Sequence, residues 1–196
     1  MADANLRIFI AIELPGELIT ALRTFQAGLK LPGHSFVKWV EPGSMHLTLK
    51  FLGNVDIKQV DRVKDGIINA VKSCEPFNLA TGGSGCFPSL RKPRVLWLGL
   101  EGDVEKLLSL QKKIDDAMAL QGFAGEIRPF TAHLTLARLR EDCSSSCMLE
   151  FSQMISAAKF VPHITMKVDA LSLIRSQLTP RGAIYSRLAE YKLSPA

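Results

Sequence analysis

One four-residue word occurs twice in the sequence, as His46-Leu47-Thr48-Leu49 and as His133-Leu134-Thr135-Leu136. A proline stands four positions before each histidine (Pro42, Pro129). Basic and apolar residues follow, Lys50-Phe51-Leu52 in the first copy and Ala137-Arg138-Leu139 in the second. Leu-x-Leu alternation around a β-branched threonine predicts a strand. Residues i and i+2 of a strand share a face, so each copy carries an imidazole and a hydroxyl on one side, about 7 Å apart. Leu47, Leu49 and Phe51 are expected on the opposite, apolar side. Strict alternation places Lys50 with His46, where it would add positive charge. A single His-x-Thr on an amphipathic strand is ordinarily surface. Here two of the chain's four histidines (His34, His46, His133, His163) sit in the repeated word, which points to two imidazoles facing one another across a cleft.

Such a pair suits acid–base chemistry. An imidazole titrates near 6.5, so close to neutral pH one ring can accept a proton while the other donates one. Cleavage of a phosphodiester needs both transfers, since the attacking water loses a proton and the leaving oxygen gains one. Each transfer is typically worth about 10²- to 10⁴-fold in rate. Thr48 and Thr135, on the same faces, are placed to hydrogen-bond the non-bridging oxygens as charge builds on them. A metal hydrolase would need three or more ligands at fixed spacing, and neither motif offers Asp, Glu or Cys on its histidine face, so no metal and no cofactor are expected. The alternative is a non-catalytic module that holds RNA ends or nucleotides through Arg91, Lys92, Arg94 and Arg138. Binding alone, however, does not require two proton-transfer groups.

The elements that must position these residues follow from periodicity. Leu6 to Ile12 is a largely apolar strand of central type. Pro15 opens a helix whose face is Leu18, Leu22, Phe25 and Leu29, and Pro32-Gly33 ends it. Phe36 to Val40 reads as a short strand before the first motif strand. Asp56 and Gln59 resemble a capping box ahead of a helix with Val60, Val63, Ile67 and Val71 on its buried stripe. Phe77 to Phe87 reads as a strand interrupted at Gly82-Gly83-Ser84-Gly85. No Gly-Lys-Ser/Thr follows those glycines and no G-x-G-x-x-G opens a helix, so they predict a bulge or loop rather than a phosphate site. The basic loop Arg91-Lys92-Pro93-Arg94 precedes the strand Val95 to Leu100. Asp103 caps a helix carrying Val104, Leu107, Ile114 and Met118. After the second motif come a loop over Glu141 to Ser146, a helix over Met148 to Lys159, and strands over Ile164 to Ile174 and Ala183 to Lys192. Each motif strand is followed by a helix, and the hairpin-like spacings predict antiparallel or mixed sheets. The fold class is therefore α+β, with two similar lobes around a cleft and no flexible linker between them.

Composition narrows the setting. With 196 residues, 47% hydrophobic and 22% charged, the chain has the balance of an ordinary soluble protein with a sizeable core. No apolar run approaches the roughly 18 residues of a membrane span. Met1 to Asn5 shows no signal-peptide pattern, and the four scattered cysteines read as reduced cytosolic thiols. The net charge of +5 and pI near 9.1 lean toward anionic partners. A cytoplasmic monomer without an obligate protein partner is expected.

The paired words resemble the signature of the two-histidine (2H) phosphoesterase superfamily. The surrounding stretches Arg7 to Ile12, Lys50 to Gly53, Pro93 to Gly99, Ala137-Arg138, Leu173 to Leu178, Gly182 and Tyr185 resemble its bacterial and archaeal RNA 2′,3′-cyclic phosphodiesterase branch, historically called 2′-5′ RNA ligase. The resemblance covers nearly the whole chain. It implies one domain over 1–196 made of two intertwined, pseudo-symmetric lobes, with one motif each at 46–49 and 133–136. It implies metal-independent opening of cyclic phosphate ends on RNA, or of cyclic nucleotides, to 2′-phosphates, with reversible 2′-5′ joining of RNA ends. Carried over, His46 is the general acid, His133 the general base, and Thr48 and Thr135 hold the phosphate; the residues alone are symmetric between acid and base. Arg138 matches a basic residue the family uses on phosphate. It lies five positions from His133, so it reaches the site only if the strand curls, bulges or ends. Phe9 matches an aromatic that could stack on the terminal base, although an apolar strand position is more commonly core.

Overall fold

Among the residues described by the computed structural model (5–30, 33–180 and 182–194), the chain forms nine strands and four α-helices. In order these are β1 (Asn5–Glu13), α1 (Gly16–Leu29), β2 (Val37–Trp39), β3 (His46–Asp56), α2 (Val60–Val71), β4 (Phe77–Phe87), β5 (Val95–Gly102), α3 (Val104–Leu120), β6 (His133–Leu139), α4 (Ser145–Ala157), β7 (Thr165–Val168), β8 (Ala170–Thr179) and β9 (Gly182–Lys192). They build a two-lobed α+β fold, as expected. One sheet has the order β3-β1-β8-β9 and the other β2-β6-β5-β4-β7, with every pairing antiparallel. Each sheet holds one motif strand, β3 in the first and β6 in the second. The main core cluster draws on both sheets and on the apolar stripes of α1, α2 and α3, and Phe9, Ala11 and Ile174 form a second, small one.

Several local expectations are corrected. The strand over Ile164 to Ile174 is two strands that break at Asp169, with β7 pairing in the second sheet and β8 in the first. Asp103 does not cap α3 through its side chain; its carboxylate accepts instead from the Asn78 backbone N–H at 3.0 Å. Asp56 accepts from Lys58 N–H and caps the 3₁₀ turn Ile57–Gln59 in front of α2. Helix α4 starts earlier than Met148, at Ser145, because Ser144 supplies its N-cap by accepting from the Cys147 N–H. The glycine stretch of β4 does bulge, between Thr81 and Ser84. Gly85 has a steric reason, since a Cβ there would fall 2.4 Å from the Trp97 ring. Pro32 and most of the Met1 to Asn5 segment lie outside the described residues.

The irregularities that matter most to function are in the motif strands. Against β1, Thr48 pairs with Ala11 and Lys50 with Ile10, so Leu49 is an extra residue. Against β5, Thr135 pairs with Trp97 and Ala137 with Leu96, so Leu136 is an extra residue. Both are β-bulges at the fourth position of the motif, and each reverses the alternation that follows it. In β3 the residues Leu47, Leu49 and Lys50 all turn inward, and Phe51 turns out to become 62% exposed. In β6, Leu134, Leu136 and Ala137 are buried and Arg138 is exposed. The expectations for Lys50 and Phe51 are therefore exchanged. The carbonyl of the extra Leu136 accepts from the Val40 N–H and from the buried Gln26 amide, each at 2.9 Å, which ties the second bulge to α1 and the end of β2.

Lys50, only 7% exposed, does not reach the histidine face. Its ammonium pairs with Asp115 of α3 and donates to the Ala124 carbonyl at 2.8 Å, while Asp115 also accepts from the Glu126 N–H at 3.2 Å. The first motif strand is thus fastened to the segment that leads into the second. Removing one partner of a buried ion pair leaves the other charge uncompensated, at a cost of about 3–5 kcal/mol, whereas replacing both with apolar groups is often nearly neutral. Lys50→Met is expected to lower stability by that amount in urea unfolding, and Lys50→Met/Asp115→Leu to recover most of it. Equal stability of the single variant and the wild type would rule out this anchoring role.

Candidate active site

His46 opens β3 directly after a 3₁₀ turn at Pro42–Ser44, and His133 opens β6 after Pro129. Each ring is tethered alike. Nδ1 of His46 lies 2.9 Å from the Ser44 carbonyl, and Nδ1 of His133 lies 2.7 Å from the Thr131 carbonyl. A carbonyl can only accept, so Nδ1–H is the donor in both. In the neutral rings Nε2 is then the basic nitrogen, and in the charged rings it is the acid. Thr48 and Thr135 follow on the same faces, both half-buried. The two motif strands approach within 8 Å, Cα to Cα, at the junction of the sheets.

Aromatic rings fix the imidazoles. His46 stacks on Phe9 with centroids 4.5 Å apart, and Tyr185 of β9 meets it edge-on at 5.1 Å. Phe87 meets His133 edge-on at 5.0 Å and leans on Trp97. Phe9 is 1% exposed, its surroundings taken by His46, Phe51 and Tyr185. It is the floor beneath His46 and presents no free face to a base, which corrects the stacking role expected of it. Phe51, at the position after the first bulge, is the more exposed ring on this face, with Tyr185 partly exposed beside it. Arg138 occupies the equivalent position after the second bulge and so joins the face of His133 and Thr135. One cavity is lined by Lys38, Ser44, Arg138 and Tyr185, another by Glu13, Ser44, His46, Tyr185 and Arg187. Ser44 and Tyr185 border both, so the two cavities adjoin between His46 and Arg138, while His133, Thr48 and Thr135 line neither.

Burial holds the His46 pKa below the usual 6.5, against the opposing pull of its Ser44 hydrogen bond and the Glu13 carboxylate. Glu13 pairs with His46 in the β1–β3 register. Its carboxylate accepts from the Ser172 hydroxyl at 2.6 Å and meets Arg187 Nε at 3.1 Å, and Arg187 also pairs with Glu190. Glu13, Phe51 and Tyr185 are the site residues that sequence reasoning missed. Glu13 had a faint signal as the charge that ends an apolar strand, and Tyr185 as part of the C-terminal stretch that carries the family resemblance. Among the described residues no group of three or more His, Cys, Asp and Glu is arranged to hold a metal ion, and no helix is long and apolar enough to cross a membrane.

A fold of two antiparallel sheets that offers one tethered histidine and one threonine from each side is that of a two-histidine phosphoesterase. The family model described as LigT like Phosphoesterase matches residues 12–97 and again 98–185, one match per motif. An RNA 2′,3′-cyclic phosphodiesterase of Methanothermobacter thermautotrophicus is 33% identical over 189 residues, 96% of this chain and all of the relative. The Bacillus subtilis protein of the same name is 34% identical over 139 residues, 70% of this chain and 74% of its own. Among solved structures, a protein of Thermus thermophilus superposes with a TM-score of 0.69 at 27% identity, covering 96% of this chain and 98% of that one. The fold of E. coli LigT, crystallised with 3′-AMP, matches with a TM-score of 0.75 at 24% identity over 97% of this chain and 99% of that one. The chain belongs to the LigT-like phosphoesterase family.

In an NMR titration His46 is expected to protonate below pH 6.5. Glu13→Gln, which removes an attractive charge, should lower that midpoint further. Folding favours the neutral ring, so this group's contribution to stability is complete above pH 6.5 and is lost as the pH falls. A midpoint that rises in Glu13→Gln would contradict the electrostatic account.

Proposed function

We propose that the protein opens the 2′,3′-cyclic phosphate at the end of an RNA strand to a 2′-phosphate, by proton transfer between two histidines and without a metal. The observation that carries this is the matched tethering of His46 and His133 on bulged strands, each with a threonine two residues on. The relatives named RNA 2′,3′-cyclic phosphodiesterase support the choice of substrate. Cyclic nucleotides share the reacting group and fit the same reading. The four unpaired cysteines suit the cytoplasm, where we place the enzyme as a monomer.

The chemistry follows from the two nitrogens. His133 Nε2 takes a proton from water as the water oxygen bonds to phosphorus. The bond from phosphorus to the 3′ oxygen breaks, and His46 Nε2–H protonates that oxygen, leaving a 3′-hydroxyl and a 2′-phosphate. Thr48 and Thr135 donate to the non-bridging oxygens, and Arg138 balances their charge. A 5′-hydroxyl in place of water would give a 2′-5′ linkage, and the step runs in both directions. Phe51, with Tyr185 beside it, rather than Phe9, offers a ring to stack on the terminal base.

Purified protein in excess EDTA with a short RNA ending in a 2′,3′-cyclic phosphate is expected to yield the 2′-phosphate. His46→Ala and His133→Ala should each cost about 10²- to 10⁴-fold in turnover with melting curves unchanged. Thr48→Val and Thr135→Val should cost less, since each removes one hydrogen bond among several. Near wild-type rate in either histidine variant would defeat the paired mechanism. The pH profile tests the assignment of roles. If His46 is the acid it must be protonated, so its limb of kcat/KM falls as the pH rises through its lowered pKa. Bound phosphate, an anion, should move the same limb of kcat to higher pH. A limb that rises through that pKa would make His46 the base.

A further inference from the structure

We propose that Lys38, Arg91, Lys92 and Arg94, leading outward from Arg138, form a track for the RNA strand on the 5′ side of the cyclic phosphate. The inference rests on the reading of the site above. It makes the enzyme selective for polynucleotide ends over free cyclic nucleotides.

The track is contiguous through the backbone. Lys38 on β2 pairs in register with Arg138 on β6, and Arg138 pairs in turn with Val95 at the start of β5. Arg94 immediately precedes Val95, and its guanidinium donates to the Arg140 carbonyl at 3.4 Å at the end of β6. Its N–H donates to the Phe87 carbonyl at 2.7 Å, and its own carbonyl accepts from the Leu139 N–H at 2.8 Å. The loop carrying Arg91 and Lys92 is thus fixed to the end of the sheet where Arg138 enters the cleft, and it springs from Phe87, the ring against His133. All five cations are exposed, and none has a carboxylate within 4 Å among the described residues. Glu41 lines the same cavity as Lys38, and Glu141 and Asp142 follow Arg140, yet none of these neutralises the stripe by an ion pair. At the far end of the cleft the carboxylates of Glu13 and Glu190 are engaged by Arg187, and Glu190 also by Lys192 at 3.3 Å, so the cations there are already paired. A polyanion entering the site therefore finds paired cations at the His46 end and unpaired ones along the ends of β2, β6 and β5. A free cyclic nucleotide carries its charge only at the reacting phosphate, so it gains nothing from the outer cations.

The test compares an RNA of about twelve nucleotides ending in a 2′,3′-cyclic phosphate with 2′,3′-cyclic AMP, using the full chain and the variant R91S/K92S/R94S. At about 50 mM salt, kcat/KM on the RNA is expected to fall tenfold or more in the variant while that on cyclic AMP is unchanged. The slope of log kcat/KM on RNA against log salt should become shallower by about 2, the value for three lost phosphate contacts on a single strand. R91K/R94K, which keeps the charge, should retain the wild-type rate on RNA. Equal losses on both substrates, or no loss on RNA, would overturn the track. If the triple variant fails to fold, K38S alone must show the same selective loss. Should the wild type open neither substrate, the catalytic reading fails, and fluorescence anisotropy with a 3′-phosphate-ended RNA decides the track separately. Weaker binding by the variant then supports it, and unchanged binding removes it.

Discussion

At the fourth position of its motif each strand carries one residue more than its partner can pair, and the arrangement of the cleft depends on that surplus. Without a bulge, the fifth residue after the histidine would lie on the core side. With it, the leucine and its successor both face inward and the next side chain swings onto the site face. The same backbone device delivers different chemistry in the two lobes, an aromatic ring at Phe51 and a guanidinium at Arg138. A bulge leaves a backbone group outside the ladder, and burial makes such a group costly unless it is met. At Leu136 the carbonyl is met by the Val40 N–H and by Gln26, a buried amide that also donates to the Val40 carbonyl.

Symmetry of backbone does not carry over into symmetry of environment. Both imidazoles are oriented by a carbonyl two residues back, which sets the same tautomer in each. His46 additionally lies between Phe9 and Tyr185, where desolvation favours its neutral form and Glu13 restrains that preference. Phe9 therefore matters to the chemistry through the ring it supports. Its place in the apolar strand and its closeness to the site are compatible because β1 has its core face on one side and the histidine on the other.

Much of this was legible in the residues. The repeated His-x-Thr words, the apolar β1, the stripes of α1 to α3 and the α+β class all rest on local periodicity, which a single sequence displays well. What periodicity cannot display is a change of phase. Lys50 and Phe51 were assigned to the wrong faces because one unpaired leucine shifts the pattern, and nothing in Leu-Lys-Phe announces the shift. The break at Asp169 escaped for a related reason, since alternation continues across it while the hydrogen-bonding partners change sheets. Asp103 has the residue type and position of a cap, but the nearby Asn78 N–H competes for its carboxylate. Glu13 and Tyr185 acquire meaning only through neighbours distant in sequence.

The family pattern matches the chain as two successive halves, yet the sheets do not respect that division. Strand β2 from the first half lies at the edge of the second sheet, and β8 and β9 from the second half complete the first. Neither half retains the strands to build either sheet alone. The two halves therefore fold as one unit, because each sheet takes strands from both. The two proton-transfer groups are thereby bound to a common fate: the chain cannot assemble one histidine's scaffold while the other's is undone.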